Sequence, residues 1–264
     1  MKRFAVTILT LLMFFNSIVT AQKSQASFNA LDRPKNLSDS ALLDLVQKQT
    51  FRYFWDFAHP VSGLARERSN IAAYGLETTT MGGTGFGVMS VIVASERKWI
   101  TRDTAVSFLL KMVSFLRKAD VFHGAYPHWM NGETGKTIRF SPKDDGGDLV
   151  ETSFLFQGLL CARQFFNQNN PKENQLRNRI NGLWNEVEWD WYTRDNLNVL
   201  YWHWSPNHGW AMNNEIRGWN ECLITYVLAA SSQIAQLMQG FMTRAGKMEL
   251  ISKIKENIMA SSFL

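Results

Sequence analysis

Three carboxylates carry the clearest chemical potential in this sequence. Asp148 and Glu151 lie in Asp145-Gly146-Gly147-Asp148-Leu149-Val150-Glu151-Thr152-Ser153, and Glu221 lies in Gly218-Trp219-Asn220-Glu221. The aspartates and glycines before Asp148 read as a loop, because glycine permits turns that other residues resist. The apolar run from Leu149 to Leu160 reads as a buried helix. A spacing of three then projects Asp148 and Glu151 from one face of its first turn. Paired carboxylates suit glycosidic bond cleavage: one carboxyl holds a proton for the leaving oxygen, and another stays ionised to activate water. A helix N-terminus favours the ionised form, which suits Asp148 as base or water-orienting group. The acid needs desolvation or a negative neighbour, a condition open to Glu221 beside Trp219 or to Glu151 under aromatic loops. The purely structural alternative is an aspartate N-cap with a capping-box glutamate at N3, and at 221 a first-turn glutamate favoured by the helix dipole.

Aromatic side chains gather around these acids. Seven of the ten tryptophans fall between Trp184 and Trp219, and Trp129 sits in an earlier long connection. Flat aromatic faces suit the apolar faces of sugar rings. Trp202 and Trp204 point the same way on a strand outside the helical core and are candidate ligand contacts, whereas Trp184, Trp189 and Trp191 fit core packing. Arg66, Arg139, Arg217 and His128 supply donors for hydroxyls or for orienting carboxylates, and each is equally suited to pinning a loop.

Six helices are needed to position this set. The first runs from a Ser38 or Ser40 cap to about Ala58 and ends at His59-Pro60. The second spans about 86–98 after the loop-like Met81-Gly82-Gly83-Thr84-Gly85, and the third runs from a Thr101 cap to about Ala119. The fourth, 148–167, carries the acidic pair; the fifth spans about 172–192, and the sixth begins near Gly218. A hairpin is expected at 126–140 around Asn131-Gly132. Connections 1–2, 3–4 and 5–6 are long, and 2–3 and 4–5 are short. In antiparallel helical hairpins, alternate connections share an end. The three long loops therefore gather on one face, with the apolar second and fourth helices inside and the first, third and fifth outside. The expected fold is all-α, a partial (α/α)6 toroid of about three helical hairpins with small β-hairpin insertions.

Composition bounds the rest. Lys2 and Arg3 precede an apolar run from Phe4 to Phe15 and small residues up to Ala21, the pattern of a secretory signal peptide over 1–21, too short for a membrane span. A polar linker follows over 22–37. The formal charge of +5 falls to about +1 for residues 22–232 once the leader and a basic tail are set aside, so no nucleic-acid footprint exists. Cys161 and Cys222 read as buried small hydrophobes, and five scattered histidines show no ligand spacing, so neither metal nor cofactor is expected.

Several motifs carry a resemblance: Tyr126-Pro127-His128-Trp129, the 145–153 stretch, Tyr201-Trp202-His203-Trp204-Ser205-Pro206 and Ile216-Arg217-Gly218-Trp219-Asn220-Glu221. Together they resemble the bacterial endo-β-1,2-glucanases, glycoside hydrolase family 144, whose domain is called glycoamylase-like. The likeness runs over 38–232 and corresponds to the N-terminal half of that domain. It implies an (α/α)6 toroid, secretion, and metal-independent, inverting hydrolysis of a glucan oligo- or polysaccharide, with family carboxylates at Asp148, Glu151 and Glu221. Glu221 is the preferred acid. A non-catalytic glycan-binding protein and a hydrolase of an α-glucan are the alternatives. The tail 233–264 departs from the pattern and reads as sequence in a shifted frame or a gene broken after Ser232; half a toroid would expose apolar inner faces and leave the chain inactive.

Overall fold

The computed structural model describes residues 34–194, 199–218 and 220–232. The expected leader, most of the linker, the atypical tail and Trp219 lie outside the described residues. The chain divides into two units, Met1–Leu45 and Val46–Leu264. In the first, the described residues enter helix α1 (Asp39–Asp56), where Ser38 Oγ accepts from the Ala41 N–H.

The second unit holds a short α2 (Ile71–Tyr74), α3 (Met81–Glu96), α4 (Arg102–Leu116), α5 (Leu149–Phe165), α6 (Pro171–Trp184) and α7 (Leu223–Ser231). Helix α3 packs on α5 and α5 on α7, while α4 packs on α6. The apolar helices thus form one row and the amphipathic ones another, as the loop lengths required. Thr101 caps α4 by accepting from the Thr104 N–H, and Asn170 caps α6 by accepting from the Glu173 N–H.

Helix α3 begins at Met81, five residues earlier than the glycine-rich sequence suggested. The glycines are kept inside the helix by close approach. A Cβ on Gly85 would lie 2.0 Å from the Phe154 carbonyl oxygen, and one on Gly158 would lie 2.2 Å from that of Gly85. Backbone contact between α3 and α5 therefore outweighs glycine's poor helix propensity. The fifth expected helix is shorter than read: α6 ends at Trp184, and a 3-10 turn covers Trp191–Thr193. Helix α7 starts at Leu223, so Glu221 sits in the turn before it.

Short strands tie the long connections together. β1 (Thr78–Thr80), β2 (Trp129–Asn131) and β3 (Thr137–Ile138) form an antiparallel sheet in that order, with Thr80 opposite Trp129 and Trp129 opposite Ile138. β4 (Gly147–Asp148) pairs with β5 (His203–Trp204), Asp148 opposite His203. The 126–140 hairpin forms, while its third strand from the first connection was not foreseen. Three residues at β1 are too few to show a period.

Candidate active site

The start of α5 is where all three long connections meet. The Asp148 N–H donates to the Tyr126 carbonyl and the Leu149 N–H to the Trp202 carbonyl, each at 2.8 Å. Asp148 is the N-cap: its Oδ1 accepts from the Glu151 N–H at 2.8 Å, and Oδ2 lies 3.0 Å from His128 Nδ1. It is buried at 1% exposure, so both oxygens are committed inside the protein. Half of the capping box is present. Glu151 does not turn back to Asp148; it crosses to α3, where Oε2 accepts from the Gly82 N–H at 2.7 Å and from the Thr80 hydroxyl at 3.2 Å.

The charges are coupled. Burial first, and then the Asp148 carboxylate, push Glu151 above the ordinary glutamate range against the opposing effects of His128, Gly82 and Thr80. Burial alone would lower His128. The Asp148 hydrogen bond and charge, with the charges of Glu151 and Asp144, carry the imidazole above its ordinary value. His128 also stacks on Phe140, with ring centroids 3.9 Å apart.

Glu221 is exposed, one residue before Cys222 at the N-terminus of α7. Burial, then the charges of Glu221 and Asp148, raise the Cys222 thiol to about 11.

The remaining sequence-derived residues divide by what they touch. Trp129 donates its indole N–H to Glu67 Oε2 at 3.1 Å and meets Phe140 edge-on, beside His128. Arg66 directs its donors to the carbonyls of Leu76, Phe57 and Ala58, pinning the first connection. Arg139 is exposed and lies 3.4 Å from Asp145, and Arg217 is exposed and pairs with Glu215. Trp202 and Trp204 are half-buried and pack against the hydrophobic core rather than standing clear of it, because β5 is pinned to β4 beneath them. Trp184 and Trp189 are buried as expected. Trp191 is not; it is 39% exposed, stacked on His123 at 3.6 Å, with Trp204 and Trp210 nearby. Cys161 is likewise exposed, on the same outward stripe of α5 as Gln157, while Cys222 is buried.

Sequence reading missed Thr80, Gly82 and His203. His203 is buried with Nε2 3.1 Å from Asp144 Oδ1. His128, Asp144 and Asp148 each bring a ligand-type atom within 4.8 Å of one another, a combination compatible with a cation, although both Asp148 oxygens already serve other partners. No linear spacing reveals this group, since its members come from the 117–148 connection folded on itself.

No protein-family model matches the sequence. The chain is 54% identical over 195 residues to the exo β-1,2-glucooligosaccharide sophorohydrolase (non-reducing end) of Parabacteroides distasonis, covering 73% of this chain and 27% of that protein. It is 54% identical to the endo-β-1,2-glucanase of Chitinophaga pinensis, solved with sophorotriose and glucose, at a TM-score of 0.72. The chain is a partial relative of the β-1,2-glucan hydrolases. That second match covers 75% of this chain and 48% of the glucanase. A Bacteroides uniformis structure provisionally assigned as a glucoamylase is 58% identical at a TM-score of 0.73, over 76% of this chain and 48% of its own. The chain thus spans about half the length of these two solved relatives and about a quarter of the sophorohydrolase, and its helical pairs follow the α/α toroid of the solved relatives.

Proposed function

We propose that this chain belongs to an exported glycoside hydrolase that cleaves β-1,2-glucan through carboxylate acid/base catalysis, in the endo manner and with inversion. The observation that carries the reading is Glu151: a carboxylate raised by burial and by Asp148, and held at Oε2 by Thr80 and Gly82, with no hydrogen-bond partner for Oε1 among the described residues. The identity of 54% to two proteins named for β-1,2-glucan chemistry supports the substrate class. Export rests on the leader pattern at 1–21. Among the described residues, no helix is long and apolar enough to cross a membrane.

The geometry redistributes the expected roles. With both oxygens bonded and the side chain buried, Asp148 positions His128 and Glu151 rather than meeting substrate. Glu221, exposed before α7, is the preferred acid, and Glu151 is its counterpart. The raised Glu151 favours the reverse order as a second assignment, because an acid must keep its proton near neutral pH. The pH profile decides between them: the alkaline limb of the bell follows the acid, so the conservative variant that distorts that limb identifies it.

The test is reducing-end release from β-1,2-glucan and from an α-glucan. In a full-length relative carrying these residues, release is expected from the β-1,2 polymer alone, falling about 10²-fold or more when the counterpart of Glu151 or of Glu221 is changed to Gln. Binding of β-1,2-glucan with no release by the unmutated full-length relative would favour a glycan-binding protein instead. The exposed Trp191 face over His123 is the feature that reading would use.

A further inference from the structure

Thr80 is a capping residue that does not cap. It stands at the N-cap of α3 with extended backbone, where a threonine hydroxyl ordinarily accepts from a first-turn N–H, yet its side chain makes no such bond. The hydroxyl donates instead to Glu151 Oε2, and that same oxygen takes the Gly82 N–H. The first turn of α3 is therefore capped by a carboxylate from α5, a residue distant in sequence. Gly82 makes this possible. A Cβ at that position would lie 2.6 Å from Oε2 and 3.1 Å from both Cδ and Oε1 of Glu151, so the carboxylate rests against bare backbone and any side chain there would push it from this place. A local capping rule broken in favour of one buried carboxylate marks a site where positioning outweighs helix stability.

We propose that Gly82 and Thr80 are positioning residues for Glu151, clamping its Oε2 so that Oε1 is the oxygen offered to the glycosidic reaction. The inference rests on the proposed hydrolase reading for the identity of that reaction, but the clamp itself can be read without turnover. The titratable groups that face Glu151 are Asp148, at the start of its own helix, and His128, from the connection before β2. Both remain in place in the variants below, so a change in Glu151 reports on the clamp.

The decisive experiment is a ¹³C-carboxyl titration of Glu151 in the full chain and in Gly82→Ala, Thr80→Val and Thr80→Ser. Removing a donor from a carboxylate disfavours its ionised form, so the Glu151 midpoint is expected to rise in Thr80→Val and to return toward the parent in Thr80→Ser. Gly82→Ala is expected to move both the chemical shift and the midpoint. If Gly82→Ala fails to fold, the threonine pair still decides. Folded Gly82→Ala and Thr80→Val chains that titrate at Glu151 like the parent would overturn the clamp. Where the parent releases reducing ends, kcat should fall at least 10-fold in Gly82→Ala with KM moving less than about 3-fold. A clamp that responds as described, beside a full-length relative that binds β-1,2-glucan without turnover, would leave the clamp standing and refute the hydrolase reading.

Discussion

At the scale of single residues, the site is defined by which carboxylates are satisfied and which are not. Asp148 is fully satisfied, whereas Glu151 is held in a place that disfavours its charge. That has a thermodynamic consequence. A group whose folded-state affinity for protons exceeds its unfolded value favours folding below the unfolded pKa, and that contribution is lost as pH rises through the folded one. Glu151→Gln, which keeps an acceptor for Gly82 and Thr80, should therefore become more stable relative to the parent as pH rises from about 4 towards 8. Denaturant midpoints measured across that range check it; a difference independent of pH would contradict it. His128 follows the same sign for the same reason: its raised affinity supports folding below about pH 6.5 and ceases to do so as pH climbs through the folded value. His128→Gln should accordingly cost more stability at pH 5.5 than at pH 9. Asp148 and Glu151 were legible from spacing alone, and so was the competing capping role. The cap is formed by Asp148, while Glu151 does not close the box. What spacing could not convey is that Glu151 leaves its own helix, since Thr80 and Gly82 are about seventy residues away.

At the scale of elements, periodicity located every long helix and misjudged ends wherever tertiary contact overrode local preference. Met81-Gly82-Gly83-Thr84-Gly85 looks like loop because glycine is a poor helix former. It is helix because α5 lies against it at backbone distance, and a one-residue view of propensity contains no partner helix. Gly85→Ala should destabilise the chain by about 1–3 kcal/mol or more, since its new methyl meets a carbonyl rather than a movable side chain. A Gly85→Ala chain with an unchanged denaturation midpoint would remove the close-packing argument. The amphipathic row has its own fastener. Arg102 at the start of α4 reaches the buried Glu173 at the start of α6 with two contacts of 2.8 Å, holding the carboxyl down to about 2, chiefly through that hydrogen bond. A depressed carboxyl contributes stability above its unfolded pKa and loses it as pH falls through the folded one. Glu173→Gln should cost about 2–3 kcal/mol at pH 7, and the gap to the parent should close as pH drops from about 4.5 towards 2.

At the scale of the whole molecule, the loop-length argument correctly grouped the apolar helices in one row, because alternation of long and short links is a property of the chain order itself. The same row leaves an uncovered stripe. Phe86, Met89 and Val93 lie three and four residues apart on α3 with 56%, 37% and 36% exposure, and Val227 on α7 is 53% exposed. Contiguous apolar surface of this kind drives association, so the chain should scatter light increasingly with concentration, and Phe86→Lys with Val93→Lys should suppress it. The strand ties bring the start of α5 beside Trp129 and Trp204 from two of the long connections, and the hydrolase reading needs Glu221 to reach the same place. The direct test is a crystal structure of Glu151→Gln with a β-1,2-linked glucooligosaccharide. A glycosidic oxygen is expected within hydrogen-bond reach of Glu221 or of position 151, close to the start of α5. A sugar seated only on the Trp191 face, with no carboxylate near a glycosidic bond, would contradict it.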